Sequence, residues 1–464
     1  MDGAVHGVLK RGAVKLLLAA SIAPIVAHLL ATRESRGAIL LVAAALCWTL
    51  DVVPDHVVAL GLIVVWNVAA IGPSAPSISG FASPVWFLLL GVLAVGGCLA
   101  RSGILQRIAF TLLSWFPATF AGQAVAFLVG GLVTTPLLPL NAARCALTAP
   151  LARQVAETLG YPARSRAAVG VGLAAFTGAG LLSRVFLSGA PLNLVAWSLL
   201  PPATRPGWWM WALAGAPTTL VITGGALTII LLTCRPADDR PIARDVIQRL
   251  RRDCGPLSGE AYLAGAAASV MLIGLVAGPC LGVDGAWFAC LAVMALAATG
   301  VLTSEQIRST IDWPFLIFLG VILSMPAMVH YIGVDTDLAG TVPRIVAGSH
   351  RSPAPTLALL FALATATRFL LSEWVAVPLL TGILVPIAPG LGLDAWVVAF
   401  VVLSASNLWT VPYQLAAYRT FCSASEGYLF THGQVRAFSV AYLLLSLWGI
   451  LVSIPLWRLL GLLS

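Results

Sequence analysis

"LLPLNAARCALTAPLARQ" (residues 137–154) puts two prolines, an asparagine and an arginine within a dozen positions of a chain that is otherwise strongly apolar. A helix crossing hydrocarbon carries such punctuation only where protein or a water-filled cavity covers the broken backbone. The apolar pattern resumes at once on both sides, so residues 118–159 read as two half-helices that enter and leave on the same side. Residues 355–389 read the same way, as a second re-entrant hairpin.

The composition supports this setting. Of 464 residues 59% are hydrophobic and 9% charged, and the mean hydropathy is +0.97. A soluble domain cannot cover its surface with so few polar side chains, so the fold class is an all-α polytopic membrane protein. Apolar runs long enough to span occur at 14–31, 38–53, 56–72, 85–101, 167–200, 208–234, 261–279, 284–302, 313–331, 396–418 and 436–462, which gives about eleven spans. The first follows Lys10, Arg11 and Lys15 and is read as a retained helix rather than a cleaved signal.

The net charge of +8 reports topology. The arginines are dispersed at helix ends with no aromatic-and-basic strip beside them, which excludes a nucleic-acid partner. With the N-terminus in the cytoplasm, Arg235, Arg240, Arg244, Arg249, Arg251 and Arg252 fall inside, as do Arg101, Arg107, Arg153, Arg164 and Arg166. Fewer (Arg33, Arg36, Arg205, Arg344, Arg351) fall outside, as the positive-inside rule requires. The 8 cysteines and 6 histidines show no ligand spacing, so no metal site or cofactor is expected.

The halves echo each other. "WFLLLGVLAVGGCLARSGI" (86–104) is similar to "FLIFLGVILSMPAMVHYIGV" (315–334), and "GAPLNLVAW" (189–197) to "TVPYQLAAY" (410–418). The chain divides into an N-terminal segment 1–37, a first repeat 38–234 with a broken helix at 167–200, an arginine-rich linker 235–260, and a second repeat 261–464 with a broken helix at 396–418. An odd number of spans per repeat inverts the second copy, and inverted repeats with interrupted helices at the midplane are the architecture of secondary transporters.

This order of elements resembles the divalent anion:sodium symporter (DASS) family, within the ion-transporter superfamily that also holds citrate carriers and arsenite permeases. The stretches that carry the likeness are 80–104, 189–221, 367–400 and 410–418. The resemblance implies a Ser-Asn-Thr tripeptide at each hairpin tip, ten residues before a proline. Counting back from Pro150 gives Leu140, Asn141 and Ala142; counting back from Pro386 gives Ala376, Val377 and Pro378, with Ser372, Glu373 and Trp374 just ahead of them. A looser register sets the second tripeptide on Ser372-Glu373-Trp374. The family's Thr-Pro-Pro-Asn break becomes Ala190-Pro191-Leu192-Asn193 in one half and Val411-Pro412-Tyr413-Gln414 in the other.

By the resemblance, the substrate anion falls to Asn141, Pro191, Asn193, Ala376, Val377, Pro378, Pro412 and Gln414; Arg144, three positions past Asn141, joins them as a charge near the tip. A coupling ion, sodium or a proton, falls to Leu140, Ala142, Ser372, Glu373 and Thr410. Half-helix N-termini offer N–H groups to an anion, and carbonyl and hydroxyl oxygens suit a hard cation. Most of the tripeptide oxygens are missing here, which weakens the case for sodium.

Arg144, Arg184, Arg368 and Glu373 are charges within apolar stretches. Each costs at least about 2.5–3.5 kcal/mol there and so faces a partner or a cavity. Two readings stand. In one, Arg368 pairs with Glu373, Arg184 snorkels to the interface and Arg144 caps a tip on backbone carbonyls. In the other, Arg144 grips an anion through parallel hydrogen bonds and supplies the charge that sodium supplies in the family, while Glu373 carries a coupling proton.

The expected function is secondary active transport of a small di- or tricarboxylate or sulfate-like anion across the inner membrane by alternating access, in a lipid-embedded homodimer. The alternative is a transporter-like scaffold that has lost transport; within transport, proton coupling or anion exchange stands as the alternative to sodium symport. No clustered set of acids, histidines or metal ligands supports an enzyme.

Overall fold

The computed structural model describes residues 32–49, 53–237, 257–333 and 352–463. The expected span 14–31 and the arginines of the linker beyond Arg235 lie outside the described residues. Helices and the turns between them make up the described residues, apart from an isolated bridge between Leu393 and Leu463.

Besides the short helix Ser74–Ile78, the first half runs α1 (Arg33–Thr49), α2 (Asp55–Val68), α3 (Pro84–Arg101), α4 (Ile104–Trp115), α5 (Phe120–Thr134), α6 (Asn141–Thr158), α7 (Arg166–Phe176), α8 (Pro191–Ser198) and α9 (Trp208–Cys234). Besides the short helix Ser304–Thr310, the second runs α10 (Gly259–Ala277), α11 (Gly285–Ala298), α12 (Trp313–Ile332), α13 (Pro353–Thr367), α14 (Glu373–Leu384), α15 (Ala395–Ser406), α16 (Ala416–Ala424) and α17 (His432–Leu459). Side-chain oxygens mark many of the starts: Ser83, Thr119, Ser165, Asp284, Asp312, Ser352 and Asp394 each accept from a backbone N–H of the first turn.

Both hairpins form. α5 stops where Thr134 and Thr135 turn their hydroxyls back onto Gly130 O and Gly131 O and Pro136 and Pro139 forbid continuation. The second tip, 368–372, has no proline. There Arg368 caps α13, and α14 restarts at Glu373 after an extended Ser372. At 15 and 12 residues, α5 and α14 are shorter than the roughly 20 that a full span needs.

Both broken helices form as well. α7 gives way to a π turn (Thr177–Leu181) and two 3-10 turns, and restarts after an extended Ala190 as the 8-residue α8. α15 ends at Ser406 and restarts after Leu415 as the 9-residue α16. The reading of 396–418 as a broken helix therefore needs extending to Ala424. α4 lies between the stretches read at 85–101 and 118–159, set off from α3 by Gly103, whose φ of 71° turns the chain sharply.

Six described helices are long and apolar enough to cross a membrane, at 84–101, 166–184, 208–234, 259–281, 313–332 and 432–459. The packed side chains divide into two cores, with the helix breaks at the boundary. α7 lies in one core with α5, α6 and α16, while α8 lies in the other with α13, α14 and α15. α9 begins in the second of these at Trp208 and Trp211 and ends in the first at Ile230; α17 runs the opposite way, from Val435 to Trp457. The chain thus crosses the two layers in opposite order in its two halves.

Candidate functional site

The buried charges lie where the breaks meet the hairpin tips. Arg144, Arg184, Arg368 and Glu373 are 2%, 7%, 1% and 7% exposed. Arg144, on the first turn of α6, donates through Nε to Ala179 O (2.9 Å) in the π turn, and through Nη1 to Gly189 O (3.0 Å) in the break and to Leu138 O in its own tip. Its Nη2 is buried with no protein partner. Arg144 lines a cavity of about 40 Å³ between α4, α5 and α6, whose other polar walls are Gln106, Thr134 and Thr148.

Arg368 makes the matching set in the second half. Nε donates to Ser406 O (3.0 Å) at the end of α15, Nη1 to Leu371 O (2.5 Å) in its own tip, and Nη2 to Gln414 O (2.5 Å) in the break. The expected Arg368–Glu373 pair is replaced by another. Glu373 Oε2 lies 3.7 Å from Nη2 of Arg184, so the ion pair joins the first break to the second hairpin. Arg184 therefore does not snorkel. It also donates to Asn193 Oδ1 at 3.3 Å, and it borders a cavity of about 20 Å³ with Tyr442, Ser404 and Ser446.

The two amides at the breaks tie down backbone. Asn193 Nδ2 donates to Ser183 O (2.8 Å) and Phe186 O (2.9 Å), and Gln414 Oε1 accepts from Val411 N and Thr410 Oγ1, both at 2.9 Å. Pro191 opens α8, and Pro412 opens the turn that Gln414 closes. Thr410 O faces Nε2 of His432 at 3.1 Å.

At the tips, Leu140 precedes α6, Asn141 opens it with Oδ1 accepting from Ala142 N at 3.2 Å, and Ser372 and Glu373 hold the equivalent places at α14. Ala376, Val377 and Pro378 lie a turn inside α14 and are buried, while Ser372, Glu373 and Trp374 stand at the turn where the helix begins.

Sequence reasoning missed Asn407 and Tyr442. Asn407 Nδ2 donates to Leu181 O (3.0 Å) and to the Tyr442 hydroxyl (2.8 Å), which itself donates to Leu181 O (3.2 Å), so the two breaks are joined directly. The available signal was an amide at the end of the apolar run 395–406.

Paired hairpins and broken helices around a buried cationic layer are a transporter's geometry. The profile of the citrate transporter family (CitMHS) matches residues 39–405, most of the chain. The chain belongs to the citrate transporter family. The likeness to DASS proteins thus holds at the level of the superfamily, and the family is one of transport proteins, not enzymes. The family member is 23% identical over 287 residues to the inner membrane protein YbhI of Escherichia coli (strain K12), a match covering 59% of this chain and 59% of that relative. Its fold is similar to the YdaH transporter of Alcanivorax borkumensis, at TM-score 0.55 and 16% identity over 84% of this chain and 88% of that one.

Proposed function

We propose that the chain is a multi-pass secondary transporter of small carboxylate-bearing anions, working by alternating access at the layer of hairpin tips and helix breaks. The observation that supports this most directly is Nη2 of Arg144: a fully buried guanidinium N–H without a protein partner, on a residue that lines a cavity. A buried polar group left unpaired is costly, and its retention is explained by a ligand that completes it. A carboxylate suits it in charge and in geometry. At about 40 Å³ the cavity holds a few waters or one carboxylate group but not a whole tricarboxylate. Loading then requires the first hairpin to part from α4, which is the motion that alternating access supplies.

The opposite order in which the two halves cross the layers supports inverted repeats of the DASS kind, and that resemblance also implies a homodimer. For coupling we favour a proton carried by Glu373, the acid that faces Arg184 and Arg368 at the second tip. When Glu373 is neutral, Arg184 is released to the substrate.

Purified protein in a thermal-shift screen against citrate, dicarboxylates and sulfate tests the reading, because a ligand bound only by the folded state raises the midpoint as ln(1 + [L]/Kd). Citrate or a dicarboxylate raises it, and Arg144→Gln weakens the effect about 10–100-fold in ligand concentration, the worth of a charged hydrogen bond. A midpoint that no anion moves, with no uptake into proteoliposomes, would favour the non-transporting scaffold.

A further inference from the structure

Backbone carbonyls at the ends of interrupted helices carry partial negative charge and in secondary transporters serve as cation ligands. In this chain those oxygens are already taken. Ala179 O, Gly189 O and Leu138 O converge on Arg144, and Ser406 O, Gln414 O and Leu371 O converge on Arg368. Each set has one oxygen from the end of the first half-helix, one from the break and one from the hairpin tip of the same half.

The two arginines arrive by different routes. Arg144 lies beyond its tip on the helix that leaves it, and Arg368 lies before its tip at the end of the helix that enters. The same three-point contact built from non-equivalent sequence positions is not a leftover of duplication. A sodium ion fits neither place: it would have to take oxygens already bonded to a guanidinium, beside a like charge in a poorly screened layer. At the first tip the hydroxyls it would need are also gone, since Leu140 and Ala142 offer none; at the second, Ser372 keeps one.

We propose that Arg144 and Arg368 are built-in replacements for coupling cations, each clamping a hairpin tip to the break of its own half, so that the chain holds its binding layer together without sodium. Arg368, with Nε and both Nη atoms engaged, is the purer clamp. Arg144 keeps Nη2 for the anion, so only this part of its role rests on the transport reading above.

The test reads the clamp in the absence of any substrate, which separates its failure from failure of the transport reading. Thermal midpoints of the full chain in detergent are compared in sodium chloride and choline chloride, then for Arg368→Ala with and without millimolar methylguanidinium. Wild type has the same midpoint in both salts. Arg368→Ala melts several degrees lower and regains most of the loss with methylguanidinium or sodium, but not with choline. A wild-type midpoint that depends on sodium overturns the proposal, as does an Arg368→Ala midpoint that is unchanged or that neither cation restores. If Arg368→Ala yields no folded protein, Arg368→Lys and Arg368→Leu decide: the lysine variant folds and the leucine variant does not. A lysine variant no better than leucine shows that the place needs side-chain volume rather than charge, and the proposal fails.

Discussion

Arg184 and Glu373 form the one buried ion pair among the described residues, and it is a loose one at 3.7 Å. Removing one member breaks a buried pair, which costs about 3–5 kcal/mol or less here where Arg368 still faces Glu373, whereas removing both is often close to neutral. Arg184→Met is therefore expected to lower the unfolding midpoint sharply, and adding Glu373→Gln to recover most of the loss. A double variant no more stable than Arg184→Met would show that the pair does not couple. The same residues carry the pH expectation. If Glu373 carries the coupling proton as proposed, its protonation frees Arg184 for substrate, and uptake is expected to rise as pH falls and to become flat in Glu373→Gln. A wild-type rate already flat between pH 5 and 8 removes Glu373 as the proton carrier.

At the scale of elements, the first hairpin is held against the first break by backbone contact. An added Cβ on Gly131 of α5 would lie 2.3 Å from the carbonyl carbon and oxygen of Gly178 in the π turn, and one on Gly178 would lie 2.3 Å from Phe127 O. Backbone atoms cannot retreat as a flexible side chain can. Gly131→Ala and Gly178→Ala are each expected to destabilise by about 1–3 kcal/mol through overpacking, and to disturb the carbonyl of Ala179 that Arg144 holds. Gly224 in α9 has open space around it, so Gly224→Ala is expected to be neutral or to stabilise by up to about 1 kcal/mol. Denaturant titration of the three variants checks the order; a Gly131→Ala midpoint equal to wild type contradicts the packing.

At the scale of the whole molecule, each half sends its second half-helix into the other half's hairpin: α8 packs against α14, and α16 against α6. The cross-packing and the Asn407–Leu181 link make the two breaks one polar layer. With the N-terminus inside, the turn between α10 and α11 is external, and it carries Cys280, which is exposed. A membrane-impermeant maleimide is expected to label Cys280 in intact cells. Labelling only after permeabilisation reverses the orientation.

The sequence by itself determined the membrane class and marked the stretches where the helices break or turn, with four charges in apolar surroundings that prove to be buried. Hydropathy, proline and isolated charge are local properties, and in hydrocarbon each has a large energetic consequence that leaves few alternatives. It did not determine the partners of those charges. Arg368 lies five positions from Glu373 and reads as its mate, yet its three nitrogens go to carbonyls that the chain supplies up to 46 residues away, and Glu373 goes to Arg184 in the other half. Nor does proline spacing mark where the outgoing helix of the second hairpin begins, which is at Glu373, after Ser372. Backbone carbonyls leave no mark in an amino-acid sequence, so which of them converge on a guanidinium is decided only when the breaks and tips are folded against one another.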